Sequence, residues 1–253
     1  MKKIAWLLLF LAIIMAGFSI QNLISKPSNN VSAPKPKTKP IPAQAVKPAF
    51  NTAQYSHTDP TSIWVVVNKK NPLNPINYIP SDLVVPNVPL RVPGNETMQM
   101  RRVAADALTA MFQAAKADNI SLMLASGYRS YSYQTSLYDG YASTQGKAVA
   151  DTQSARPGYS EHQTGLAADV EPLSRNCEVA QCFASTPEGI WLAANSYRFG
   201  FIIRYPQNGQ AITGYEYEPW HIRYIGIPAA TAMHDQGITT LEQFFGYPPA
   251  PTY

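Results

Sequence analysis

The sequence predicts an α+β domain, a mainly antiparallel sheet flanked by helices. Apolar residues recur at three- and four-residue spacing from Thr97 to Asp118, the periodicity of an amphipathic helix. Short apolar runs such as Ser121–Ser126 and Phe201–Tyr205 have the length and bounding residues of strands instead. The two kinds of segment are mixed without the strand–helix–strand rhythm of a parallel sheet. No internal repeat is present.

Taken in order, Ser62–Asn68 reads as a short strand through Trp64-Val65-Val66-Val67. Pro72, Pro75, Pro80, Pro86, Pro89 and Pro93 then make an irregular stretch. The helix over Thr97–Asp118 carries Met100, Val103, Ala104, Leu108, Met111, Phe112 and Ala115 on one face. Ser121–Ser126 follows as a buried strand ended by Gly127, and Ser132–Tyr141 as a second helix. Pro187 suits the first turn of a third helix behind a Thr186 cap, running towards Gly200. Phe201–Tyr205 and His221–Ile225 read as strands, and Ala229–Phe245 as a closing helix.

Ahead of this domain the composition changes. Lys2 and Lys3 precede an unbroken apolar or small run from Ile4 to Phe18, the pattern of a signal sequence or membrane anchor over residues 1–20. No clean small-x-small cleavage site follows, so an uncleaved anchor with its charged end inside is favoured. No cysteine lies nearby to carry a lipid. Residues 21–58 form a Pro/Lys-rich linker: Pro27, Pro34, Pro36, Pro40, Pro42 and Pro48 alternate with lysines, a composition that stays extended and disordered. The folded domain is expected over 59–253. Residues 1–50 hold seven lysines and no acid, so a whole-chain charge of +4 leaves about −3 for the remainder. The basic balance belongs to the leader and linker and gives no reason to expect a nucleic-acid partner.

Chemistry concentrates in Ser160-Glu161-His162-Gln163-Thr164-Gly165-Leu166-Ala167-Ala168-Asp169 and in Glu218-Pro219-Trp220-His221. Of only four histidines, these stretches use two. His162, Asp169 and His221 supply two imidazoles and a carboxylate, the donor set of a catalytic zinc that keeps one position open. The same set also suits the facial triad of a non-haem iron oxygenase, although export and the extra acid Glu218 favour hydrolysis. Pro219 holds Glu218 extended. On a regular strand, residues three apart face opposite ways, so a bend or bulge is required to bring Glu218 and His221 together. Arg129, at a strand end beside Gly127, is a candidate anion binder; Gln134 and Ser160 are candidate substrate contacts. In an exported chain, Cys177 and Cys182 are expected to form a small-loop disulfide.

Ser126-Gly-Tyr-Arg129-Ser, Gln134, Ser160-x-His162-x2-Thr-Gly165-x-Ala-x-Asp169 and Glu218-x2-His221 together resemble the VanY-type D-alanyl-D-alanine carboxypeptidase family. That family is related to zinc LD-carboxypeptidases of peptidoglycan. The likeness runs from Trp64 to Leu241-Glu242. It implies one Zn2+ per chain on His162, Asp169 and His221, with Glu218 as catalytic base. It also implies that Arg129 assists at the scissile carbonyl or the terminal carboxylate, and that the fold is the one shared with Hedgehog signalling domains.

The expectation is therefore a zinc carboxypeptidase that removes the terminal D-alanine from peptidoglycan stem peptides, by a DD or an LD cut. It would act in the bacterial cell envelope, membrane-anchored facing outside or secreted, with the N-terminal segment as its membrane partner. An endopeptidase of the same chemistry and a non-catalytic wall-binding module are the alternatives.

Overall fold

The computed structural model describes residues 50–253; the expected leader and residues 21–49 of the expected linker lie outside the described residues. Phe50 packs on Trp64 and Phe244, with ring centroids 5.6 and 5.5 Å away. The packed unit thus includes residues ahead of the expected boundary at 59. Among the described residues no helix is long and apolar enough to cross a membrane.

The chain first forms a small antiparallel pair, β1 (Leu83–Val84) with β2 (Met100–Arg101), and then α1 (Arg102–Ala117). β3 (Leu122–Ser126), α2 (Tyr131–Gln145), α3 (Lys147–Gln153) and β4 (Ala167–Pro172) follow. The last third contains α4 (Pro187–Asn195), β5 (Phe201–Tyr205), α5 (Gln210–Thr213), β6 (Glu218–Tyr224), α6 (Ile227–Gln236) and α7 (Leu241–Phe245). The main sheet has the order β3-β4-β6-β5, antiparallel throughout. The α+β architecture agrees with the sequence expectation.

Several elements differ from their expected limits for identifiable reasons. The first helix begins at Arg102, five residues late, because Arg101 and its neighbours are engaged elsewhere. The Arg101 amide donates to Gly165 O, its Nε to Asp82, and the Arg102 amide to Asp82 O. Ser62–Asn68, buried from Trp64 onward, is no strand. Its Ile63 and Val65 carbonyls accept from the Arg223 guanidinium rather than from a neighbouring backbone. The expected closing helix is two helices, parted where Gly237 takes a left-handed conformation (φ 66°) and Thr240 caps α7. By contrast Thr186 caps α4 ahead of Pro187 as expected, accepting from the Gly189 amide.

The apolar faces meet around the sheet. Leu108, Met111 and Phe112 of α1 pack with Leu124, Val170, Ile222, Trp191 and Leu192. A second cluster joins Trp64 to Ile202, Ile225, Met233, Leu241 and Phe244. Into this interior the fold also takes four charged side chains, Glu161, Arg204, Arg223 and Glu242, all fully buried. Arg204 donates through Nε to Glu161 (2.8 Å) and through both terminal nitrogens to Glu242 (3.0 and 2.7 Å). Arg223 donates to the same oxygen of Glu161 at 2.7 Å. Asn68 completes the set by donating to Glu242. A lone buried charge costs several kcal/mol, so the two acids and two bases are tolerable only as a group.

The arginines hold Glu161 and Glu242 below the usual carboxylate range against the opposing effect of burial. Acids whose folded pKa is depressed stabilise the fold above the unfolded value, about 4.3 for Glu. That contribution is lost as pH falls through the folded pKa. The contribution of these two acids is accordingly constant near neutrality, and the thermal midpoint should fall steadily below about pH 4.5. A midpoint unchanged down to pH 3 in a calorimetric pH series would mean that the buried acids are not ionised.

Candidate metal centre and substrate cleft

Asp169 and His221 are brought together by strand register. β4 and β6 pair with Asp169 directly opposite His221, and the His221 Nδ1 lies 3.1 Å from Asp169 Oδ1. His162 arrives from a 3-10 turn, Glu161–Thr164, immediately before β4. Gly165 ends that turn in the left-handed region (φ 67°), and its position against Arg101 leaves little room for a side chain. His162 Nε2 stands 3.4 Å from Asp169 Oδ2. Its other nitrogen, Nδ1, is 2.6 Å from Gly127 O, so Nδ1 carries the proton and Nε2 faces the carboxylate. Gly127 is required there, since a Cβ would sit 2.4 Å from Gln99 O.

Glu218 reaches the same point through an irregularity in β6. Ile203 and Tyr205 of β5 pair with Ile222 and Glu218, so β6 takes four residue steps where β5 takes two. Pro219, which has no N–H to give a ladder, lies within this bulge. The bulge resolves the demand posed by the three-residue separation, and Glu218 Oε2 stands 3.6 Å from His221 Nδ1.

The ligand atoms of His162, Asp169 and His221 lie within 4.8 Å of one another. Donors around one tetrahedral zinc sit roughly 3.3 Å apart, given bonds near 2.0–2.1 Å. The 3.1 Å between His221 Nδ1 and Asp169 Oδ1 matches that spacing, and His162 Nε2 stands 3.4 Å from the other oxygen of the same carboxylate. His162 Nε2 and Asp169 Oδ1 are buried with no hydrogen-bond partner, as donor atoms reserved for a cation would be. The residues therefore fit a zinc ion.

The electrostatics agree. Burial, reinforced by Arg129, pushes His162 down to about 4, which keeps it neutral. Burial also works against charge on His221, but the neighbouring carboxylates of Asp169, Glu161 and Glu218 outweigh it and raise that ring to about 9. The surroundings of His221 thus call for positive charge, which a divalent ion supplies. Burial raises Glu218 to about 7, with His221 opposing and Asp169 adding to the rise.

These groups line a cleft of about 650 Å³, together with Arg129, Ser160, Tyr133 and Trp220. Arg129 donates to Asp169 (3.1 Å) and to Gln134 (3.2 Å), while its Nε is buried without a partner. Gln134, expected to contact substrate, is fully buried with its amide engaged by Arg129, Ser154 and Ala155. It supports Arg129 instead. Ser160 is buried at the cleft wall. Cys177 and Cys182 are bonded to each other, and Val179, Ala180 and Gln181 of the loop between them form another part of the wall.

Sequence reasoning passed over Glu161, Arg204 and Arg223, which stand behind the centre. Glu161 Oε2 lies 3.6 Å from His221 Nε2. A signal was available: an arginine inside the apolar strands Phe201–Tyr205 and His221–Ile225 is an anomaly that demands a buried acid.

Comparison with known proteins places this arrangement in context. Residues 97–227 match the family model VanY: D-alanyl-D-alanine carboxypeptidase. YodJ of Bacillus subtilis (strain 168), which carries a provisional carboxypeptidase name, is 39% identical over 254 residues, covering 92% of each chain. The solved LdcB LD-carboxypeptidase is 46% identical with a TM-score of 0.70, over 74% of this chain and 87% of that one. A vancomycin-resistance D,D-pentapeptidase VanY solved with Zn(II) is 38% identical with a TM-score of 0.55, over 73% of this chain and 98% of that one.

His162→Ala should weaken zinc binding by at least about 100-fold, beyond the usual effect of losing a supporting residue. Competition with a chromogenic chelator measures this, and circular dichroism establishes that the variant is folded. Affinity equal to wild type would remove His162 from the donor set.

Proposed function

The chain belongs to the VanY family of D-alanyl-D-alanine carboxypeptidases, and from that premise we propose that it is a zinc-dependent peptidoglycan carboxypeptidase. It removes the terminal D-alanine of stem peptides. The observation that carries this reading is the meeting of three cation-ready donors, a second carboxylate and an arginine on one cleft wall. His162, Asp169 and His221 would hold the zinc. A bound zinc supplies Lewis acidity, polarising the scissile carbonyl and making a water acidic enough to attack near neutral pH.

The protein's own groups do the rest. Glu218, beside His221 and half-buried, accepts a proton from the attacking water and returns it to the departing amine. Arg129 presents a charged, partly free guanidinium to the cleft, suited to a substrate's terminal carboxylate or to the oxyanion. Anchoring a terminal carboxylate favours a carboxypeptidase over an endopeptidase. Gln134 and the Asp169 carboxylate fix the plane of that guanidinium. The lysine-led apolar run Ile4–Phe18 supports delivery to the cell envelope, with a membrane tether as the simplest form of retention.

The direct test incubates the full-length, zinc-loaded chain with defined penta- and tetrapeptide stems, with and without a chelator, and identifies products by mass. Chelator-sensitive release of a single D-alanine is expected; release of a longer fragment, or no cleavage with zinc bound, would refute the carboxypeptidase reading. Glu218→Ala should keep zinc affinity within about threefold while lowering kcat by about 100-fold or more. Near-normal turnover in that variant would exclude Glu218 as the proton carrier.

A further inference from the structure

The two histidines of the metal centre turn different nitrogens inward. His162 is fixed by Gly127 O on Nδ1, which leaves Nε2 facing Asp169. For His221 the inward atom is Nδ1, 3.1 Å from Asp169, and the outward atom is Nε2. No backbone carbonyl is bonded to that outer nitrogen. It is buried without a hydrogen bond, and so is Glu161 Oε2, 3.6 Å away. Each is the group that the other lacks, and a shift of under ~1 Å brings them to hydrogen-bond length.

Glu161 is in turn immobilised. Its second oxygen, Oε1, accepts from Arg204 Nε at 2.8 Å and from an Arg223 terminal nitrogen at 2.7 Å. Arg204 is itself held by Glu242 of α7, and Arg223 by the carbonyls of Ile63, Val65 and Tyr224. Two guanidiniums on one oxygen leave the other aimed at His221. That is more apparatus than burying an acid requires, and its free end points to the metal centre.

We propose that Glu161 is a positioning residue for the zinc site: its Oε2 takes the hydrogen of His221 Nε2, fixing the tautomer that presents Nδ1 to the metal. This rests on the zinc reading above and adds to it a specific division of labour between the two imidazoles. A supporting acid of this kind both orients the ring and strengthens it as a donor. Here the acid is locked by charges drawn from β5, β6 and, through Glu242, α7.

Two measurements on the full-length chain test it. In zinc-loaded wild type with ¹⁵N-labelled histidine, long-range ¹H–¹⁵N correlation should show His221 protonated at Nε2 and His162 protonated at Nδ1. A proton on His221 Nδ1 would overturn the proposal, and this experiment needs no variant to fold. Chelator competition on Glu161→Gln should show zinc affinity reduced about 10- to 100-fold. Glu242→Gln, which removes an acid from the same arginine without facing His221, should stay within about threefold of wild type even if its thermal midpoint drops. Equal losses in the two variants, or none in Glu161→Gln, would reduce Glu161 to a structural ion-pair member and overturn the proposal. If wild type itself bound no zinc, the underlying reading would fall and this inference with it.

Discussion

Glu161, a carboxylate with no access to water, is the constraint around which the centre of this protein is organised. Burying such a group alone would cost several kcal/mol, so the fold must deliver compensating charge to one point. It does so from separate parts of the chain: Arg204 on β5, Arg223 on β6, and Glu242 on α7 to balance the second arginine. The four charges sum to zero. Meeting that condition fixes how the paired strands β5 and β6, the 3-10 turn carrying His162, and the closing helix lie against one another. Removing any one member would leave an uncompensated charge in the interior, at a cost of several kcal/mol.

The irregularities of the sheet then become intelligible. β6 has to place His221 opposite Asp169, keep Arg223 in the buried network, and still turn Glu218 towards the cleft. A regular strand cannot do all three, because residues 218 and 221 would face opposite sides. The two extra residue steps around Pro219 reconcile these demands. On the far side, the tight approach of Gly127 to the 97–99 segment sets the carbonyl that orients His162. Both imidazoles are thus aimed by groups outside the donor set, and Arg129 is held by Asp169 and Gln134. The cleft presents preset chemistry on rigid elements, which suits the proposed reaction, where the acid, the base and the anion binder must meet within a few ångströms.

Legibility in the sequence followed the range of the interactions. The Thr186 cap and the α1 periodicity were readable because they depend on residues three or four apart. Ser62–Asn68 has the apolar composition of a strand, while its Ile63 and Val65 carbonyls are satisfied by a side chain from residue 223. Ala167–Pro172 is a buried interior strand of the sheet, a status conferred by neighbours on both sides rather than by its own pattern. Gln134 carried a motif position but no indication that all of its amide bonds are internal.

By itself the sequence determined the fold class, the helix caps and the identity of the chemically competent residues, because residue type and short spacing decide those. It also stated a geometric difficulty, the three-residue gap between Glu218 and His221, without the means to resolve it. Only the tertiary structure decided which nitrogen of each histidine faces inward, how the β6 bulge turns Glu218, and that Glu161 stands behind His221. Those outcomes depend on hydrogen-bond partners tens of residues away, and partnership at that distance is set by the packing of the sheet.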